Sequence, residues 1–185
     1  MTIQKKVNNG AYRTTIEIGA SRLKQIAWYF TNIIFFLNPF NMLSSSKVFL
    51  LRLFGARIGA GVLIKPSVNI KYPWKLQVGD HSWIGEGVWI DNLSDVTIGS
   101  SVTLSQGCLL LTGSHDHTRE TFDFLSQPIV LEDGAWVGAR AVVNGGSRCG
   151  THSILGLNSV AEGYLEPYTI YKGNPAIPVL RRVIH

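Results

Sequence analysis

LEDGAWVGARAVVNGGSRCGTHSILGLNSVAEG, residues 131–163, carries the plan of the molecule. An apolar or small residue recurs at Leu131, Val137, Val143, Cys149, Leu155 and Ala161, six apart each time. Upstream the same beat reads Ile58, Ile64, Ile70, then Val78, Ile84, Ile90, then Ile98, Leu104, Leu110. Four positions after most beats stands a second small or branched residue, among them Val62, Val88, Ala135 and Ser153. A period of six suits neither an amphipathic helix nor a simple alternating strand. It suits a parallel β-helix, an all-β solenoid of hexapeptide repeats. Three hexapeptides close one triangular coil, with the beat pointing into the axis and small residues at the corners.

The spacing also shows where the coils are interrupted. Ile58, Val78 and Ile98 are 20 apart, which places extra residues at Tyr72–Leu76 and Asn92–Val96 as outward bulges at one corner. Between Leu110 and Leu131 the beat breaks around TGSHDHTRETFDFLSQP, residues 112–128. A long polar loop projecting from a regular scaffold is more often functional than decorative. The organisation expected is an arm with capping helices over 1–57, about five coils over 58–166, and a C-terminal segment over 167–185.

At 185 residues, with 45% hydrophobic content and nineteen glycines, the chain suits one sharply turning domain. The net charge of +5 has no basic stripe interleaved with aromatics, so nucleic acid is not an expected partner. Cys108 and Cys149 fall on inward positions and read as small core residues. Met1–Ser21 is polar and has no short apolar run before a cleavage site, which points to a cytoplasmic protein. Residues 1–20 read as a loose arm. SRLKQIAWYFTNIIFFLN, residues 21–38, predicts a helix capped by Ser21. Its apolar run Ile26–Leu37 is shorter than the roughly 20 residues a bilayer span needs. Three placements stay open for this helix: across the β-helix end, against a neighbouring subunit, or in a membrane interface. A second helix over Lys47–Phe54, capped from Ser44-Ser45-Ser46, would cover the open edge of the first coil.

LRLFGARIGAGVLIKPSVNIKYPWKLQVGDHSWIGEGVWIDNLSDVTIG (51–99), SQGCLLLTGSHDHT (105–118), PIVLEDGAWVGA (128–139) and YKGNPA (171–176) together resemble the hexapeptide acyltransferases. The resemblance is strongest to the WcaF-type, putative colanic acid biosynthesis acetyltransferases. It implies a left-handed β-helix, acetyl-coenzyme A as donor, no metal, and a homotrimer with active sites between subunits. It implies a sugar or lipid-linked sugar as acceptor, and the family's catalytic histidine lies on the projecting loop.

Acyl transfer to a hydroxyl needs a base, donors for the oxyanion and a slot for the carrier. His115, in Thr112-Gly113-Ser114-His115-Asp116, is the leading base, with His117 as the alternative on the same loop. His81 and His152 read as surface histidines. The resemblance gives Asp91, Asn92 and Glu86 as acceptor-side polar residues; an Asx-stabilised turn is the plainer reading of Asp91-Asn92. For the carrier groove it gives Trp136, Gly138, Ala139, Gly156 and Asn158, with Lys172 and Arg181 toward the cofactor phosphates. Trp74, Trp83 and Trp89 suit either sugar stacking or subunit packing.

The expected function is O-acetylation of a sugar or sugar intermediate in exopolysaccharide biosynthesis. Serine or amino-sugar acetylation is the near alternative. A γ-carbonic-anhydrase-like metalloenzyme would need His81, His115 and His117 to converge on zinc. A non-catalytic scaffold would have no use for His115 on its loop.

Overall fold

The structure is a computed structural model that describes residues 6–12, 14 and 16–185. Short strands, most of two or three residues, wind into a three-faced parallel β-helix. On the first face the beat residues Ile58, Val78, Ile98, Leu131, Cys149 and Leu165 stack in register. The second face stacks Ile64, Ile84, Leu104, Val137, Leu155 and Tyr171. The third stacks Ile70, Ile90, Leu110, Val143 and Ala161. All of these side chains are buried in one continuous core. Each fully buried aliphatic side chain is worth about 1.5–3 kcal/mol, so the beat of six is the main stabilising device.

Six rungs form on two faces, one more than the five expected, because the winding continues past residue 166 through Thr169–Gly173. Ala176–Arg181 then folds back antiparallel onto that strand and covers its edge. Cys108 and Cys149 are buried free thiols, and burial pushes each pKa up to about 12.

The N-terminal end shows why the chain begins with helices. Each coil's N–H groups donate to the next coil's carbonyls, as from Gly59 to Val78, Lys65 to Ile84 and Lys71 to Ile90. The first coil's own carbonyls have no coil beneath them, and an edge of acceptors needs donors. Arg52 donates to the Ile58 and Gly59 carbonyls on the first face. Lys47 Nζ, fully buried, donates to Ile64 and Lys65 on the second. Trp28 Nε1 donates to Ile70 on the third, at 2.9 Å. Arg, Lys and Trp carry side-chain donors and no comparable acceptor, which is what this edge requires. Burial pushes the Lys47 ammonium's pKa down.

Helix α1 (Arg22–Thr31) is capped by Ser21 Oγ, which accepts from Lys24 N. It runs on through a π-turn at Asn32–Phe36 and buries Trp28 and Phe36 against the solenoid end. Of the three placements for this segment, the end of the β-helix is the one its inner face takes. Helix α2 begins at Ser44 and ends at Leu53. The serines do not cap it: Leu43 holds that position, and Ser44 Oγ exchanges hydrogen bonds with the Ile64 backbone instead.

Part of the expected loose arm, residues 1–5, 13 and 15, lies outside the described residues. The rest is attached: Asn8 N donates to Glu120 O, and Trp74 Nε1 to Ile18 O. Trp74 is therefore a packing residue, stacked on Tyr72. Among the described residues, no helix is long and apolar enough to cross a membrane.

Candidate functional site

Residues 112–128 leave the corner between the third and first faces as an antiparallel hairpin, not an open loop. Gly113 pairs with Ser126, Ser114 with Leu125 and His115 with Phe124. Its root is fixed by Thr112, which is buried; Oγ1 donates to Asp91 O and accepts from Ser94 N. A Cβ at Gly113 would stand 2.7 Å from the tip of the Phe124 ring, so glycine here leaves room for that ring.

His115 is held on three sides. Its Nδ1 lies 3.0 Å from the Phe122 carbonyl oxygen, and its ring stacks on Phe122 at 4.4 Å. Phe124 meets it edge-on at 5.3 Å, and Tyr12 from the arm stands 5.9 Å away. A carbonyl only accepts, so Nδ1 carries a proton in this contact, and in the neutral imidazole Nε2 then holds the lone pair. An imidazole fixed in that tautomer is equipped to take a proton from a hydroxyl. His117, two residues on, is exposed and has no hydrogen bond among those described. The hairpin tip is tied by Asp116, which accepts from Thr118 N and Oγ1, and by Arg119, which pairs with Asp116 and Asp123. The Thr118 hydroxyl, then its amide, hold the Asp116 carboxyl below the usual range.

Asp91 sits beneath the hairpin root and pairs with Lys71 at 2.8 Å. Asn92 is fully buried; its Oδ1 accepts from Tyr72 N and its Nδ2 donates to Tyr72 O. Asn92 is a lock on the bulged corner, and the acceptor-contact role expected for it does not fit its burial. Glu86 is exposed in the turn between the second and third faces, a different corner from the hairpin. Beside the hairpin a polar cleft of about 390 Å³ is lined by Thr112, Ser114, Ser126, Gln127, Asn144 and Glu162.

The residues assigned to the carrier do come together. A groove of about 640 Å³ along the second face gathers Trp136, Gly138, Ala139, Gly156, Asn158 and Lys172. Trp136 Nε1 donates to Ser105 Oγ at 2.8 Å, which fixes the indole on the groove wall. Asn158 turns the corner at φ 54°, a left-handed position asparagine tolerates better than most residues. Arg181 is the exception: it does not line the groove, and its guanidinium is bonded to Pro167 O and Thr169 Oγ1.

Hairpin and groove stand at different corners, so one chain does not bring base and groove together. His81 is likewise at the first–second corner, apart from His115 and His117. Among the described residues, no group of three or more His, Cys, Asp or Glu is placed to hold a metal ion. Sequence reasoning missed Tyr12, Phe122 and Phe124 around His115; their aromatic character was the only signal. It also missed Ser105 and Gln106 in the groove, which lie on no beat position.

The three-faced β-helix is a fold shared with solved acetyltransferases. A hexapeptide-repeat acetyltransferase of Vibrio cholerae, solved with acetyl-coenzyme A, superimposes with a TM-score of 0.77 at 25% identity. The match covers 90% of this chain and 92% of that one. A galactoside acetyltransferase solved with coenzyme A shares the fold at a TM-score of 0.77 and 21% identity, over 86% and 80% of the two chains. No protein-family model matches the chain.

These features define a hexapeptide-repeat acetyltransferase. Within that class the chain belongs to the WcaF family. It is 39% identical over 166 residues to the "Putative colanic acid biosynthesis acetyltransferase WcaF" of Escherichia coli K12, covering 89% of this chain and 91% of that protein. The galactoside O-acetyltransferase of Escherichia coli is 26% identical over 123 residues, 65% of this chain and 61% of that one.

Proposed function

We propose that this acetyltransferase moves the acetyl group of acetyl-coenzyme A to a hydroxyl of a sugar or lipid-linked sugar in exopolysaccharide biosynthesis. The observation that carries the reading is the His115 ring, whose Nδ1 is held 3.0 Å from the Phe122 carbonyl oxygen, so that in the neutral imidazole Nε2 is the nitrogen left to accept a proton. In the reaction, Nε2 takes the proton of the acceptor hydroxyl as its oxygen attacks the thioester carbonyl. The tetrahedral oxyanion collapses, the carbon–sulfur bond breaks, and the imidazolium returns its proton to the departing thiolate.

The groove beside Trp136 suits the pantetheine arm, an extended chain of amides and methylenes, and Lys172 suits a cofactor phosphate. The hydroxyls and amides of the cleft beside the hairpin suit a sugar. Family membership supports the pathway. Acetyl-coenzyme A is a cytosolic thioester, which supports a cytoplasmic enzyme.

Because hairpin and groove lie at separate corners, the complete site is read as shared between copies in a homotrimer. Exposed Leu63, Trp83 and Trp136 make the second face an apolar surface for that contact. Cyclic closure satisfies a contact between unlike faces without forming fibres. Two measurements test the reading. A thiol-release screen over sugars, glycosides and lipid-linked sugars should find an acceptor that shows saturation, with serine and amino sugars as the competing acceptors. Light scattering should give three copies; a monomer at micromolar concentration would remove the shared site.

A further inference from the structure

We infer that the helix-capped end of the β-helix is a docking face for an anionic phospholipid surface. Helices α1 and α2 bury Trp28, Phe36 and Leu51 against the first coil. Apolar side chains of the helices and of the connection between them stay exposed: Leu23 on α1 is 81% exposed, Phe40 in the connection 90%, and Met42 in the connection and Phe49 on α2 are exposed as well. Exposed large apolar side chains concentrated on one segment of the chain point to an interaction site.

The charge around it is equally one-sided. Between Ile18 and Gly79 there are eight Lys and Arg residues and no Asp or Glu, whereas residues 80–185 hold six basic and eleven acidic residues. Edge capping occupies Lys47 and Arg52, and Lys71 pairs with Asp91. Lys75 is bonded to the Glu17 and Leu93 carbonyls. Among the described residues, Arg22, Lys24, Arg57 and Lys65 have no carboxylate partner. They stand around the rim, Arg22 and Lys24 on α1 and the other two on different faces of the first coil.

Apolar side chains ringed by uncompensated cations match a bilayer surface in both respects: the former enter the headgroup boundary and the latter meet anionic lipid. Two copies meeting through the same end would instead bring like charges together. The inference does not depend on which acceptor is acetylated.

The test is co-sedimentation of the full chain with phosphatidylcholine vesicles and with vesicles containing about a third phosphatidylglycerol. The protein should pellet with the anionic vesicles only, and less at about 0.5 M salt. Leu23→Glu/Phe40→Glu and, separately, Arg57→Glu/Lys65→Glu should each weaken partitioning at least about tenfold. Both should keep the wild-type mass and thiol release with a soluble acceptor. Failure of the wild type to bind anionic vesicles overturns the inference whatever the variants do. So does a fall in oligomer mass in either variant, which would assign the face to another copy of the chain.

Discussion

The Nδ1 of His115 lies 3.0 Å from the carbonyl oxygen of Phe122, and the two rings stack almost parallel. One contact fixes the tautomer and the other fixes the plane, so the free lone pair on Nε2 points in one direction. His115→Ala should lower kcat by on the order of 10²–10⁴, the usual worth of a positioned general base. Acetyl-coenzyme A affinity should change little, and His117→Ala should cost far less. Steady-state kinetics of both variants checks this; the reverse ranking would move the base to His117.

Trp136 forms the aromatic wall of the groove and is anchored by Ser105. Trp136→Ala should weaken acetyl-coenzyme A binding about tenfold, the scale of losing one aromatic packing partner. Titration calorimetry with coenzyme A is the direct measurement. Arg181→Ala should leave that affinity within about twofold, because its guanidinium is committed to Pro167 and Thr169.

Lys47 is buried with its ammonium on the carbonyls of Asn41, Ile64 and Lys65. Lys47→Met keeps most of the volume and removes the donors. It should lower unfolding free energy by about 2–4 kcal/mol, because buried acceptors are left unpaired. Urea denaturation would read this. An unchanged midpoint would mean that water replaces the ammonium at the open edge.

Glu132 links two coils: it accepts from Thr151 N and Oγ1 and pairs with Arg148. The Thr151 hydroxyl, then Arg148, hold its pKa below the ordinary glutamate range. A carboxylate with a depressed folded pKa adds stability that is complete above its unfolded pKa and lost as pH falls through the folded one. The chain should therefore weaken between about pH 5 and pH 3, and Glu132→Gln should flatten that part of the profile. Urea midpoints of both proteins across this range decide it.

The beat of six was enough by itself to give the coils up to the last rung, the inward faces, both buried cysteines and the point where the chain leaves the scaffold. An axis-facing residue is dictated by local spacing, and every coil repeats the same demand. The resemblance assigns Trp136, Gly138, Ala139, Gly156, Asn158 and Lys172 to the carrier, and the structure lines one groove with them. What lay beyond the repeat was decided only by tertiary structure. The sequence reads Lys47–Phe54 as an edge-covering helix, but that Lys47 and Arg52 serve the first coil's unpaired carbonyls emerges only from the structure. For Asn92 the sequence leaves an acceptor contact and a structural turn both open, and Tyr72 takes both ends of its amide. Tyr12 reaches His115 across about a hundred residues of chain, and Phe122 does so through a hairpin register no period announces. Periodicity reports which way a side chain points within its own coil. Which unpaired backbone group or aromatic ring it meets depends on where distant segments end, and that is fixed only when the chain closes on itself.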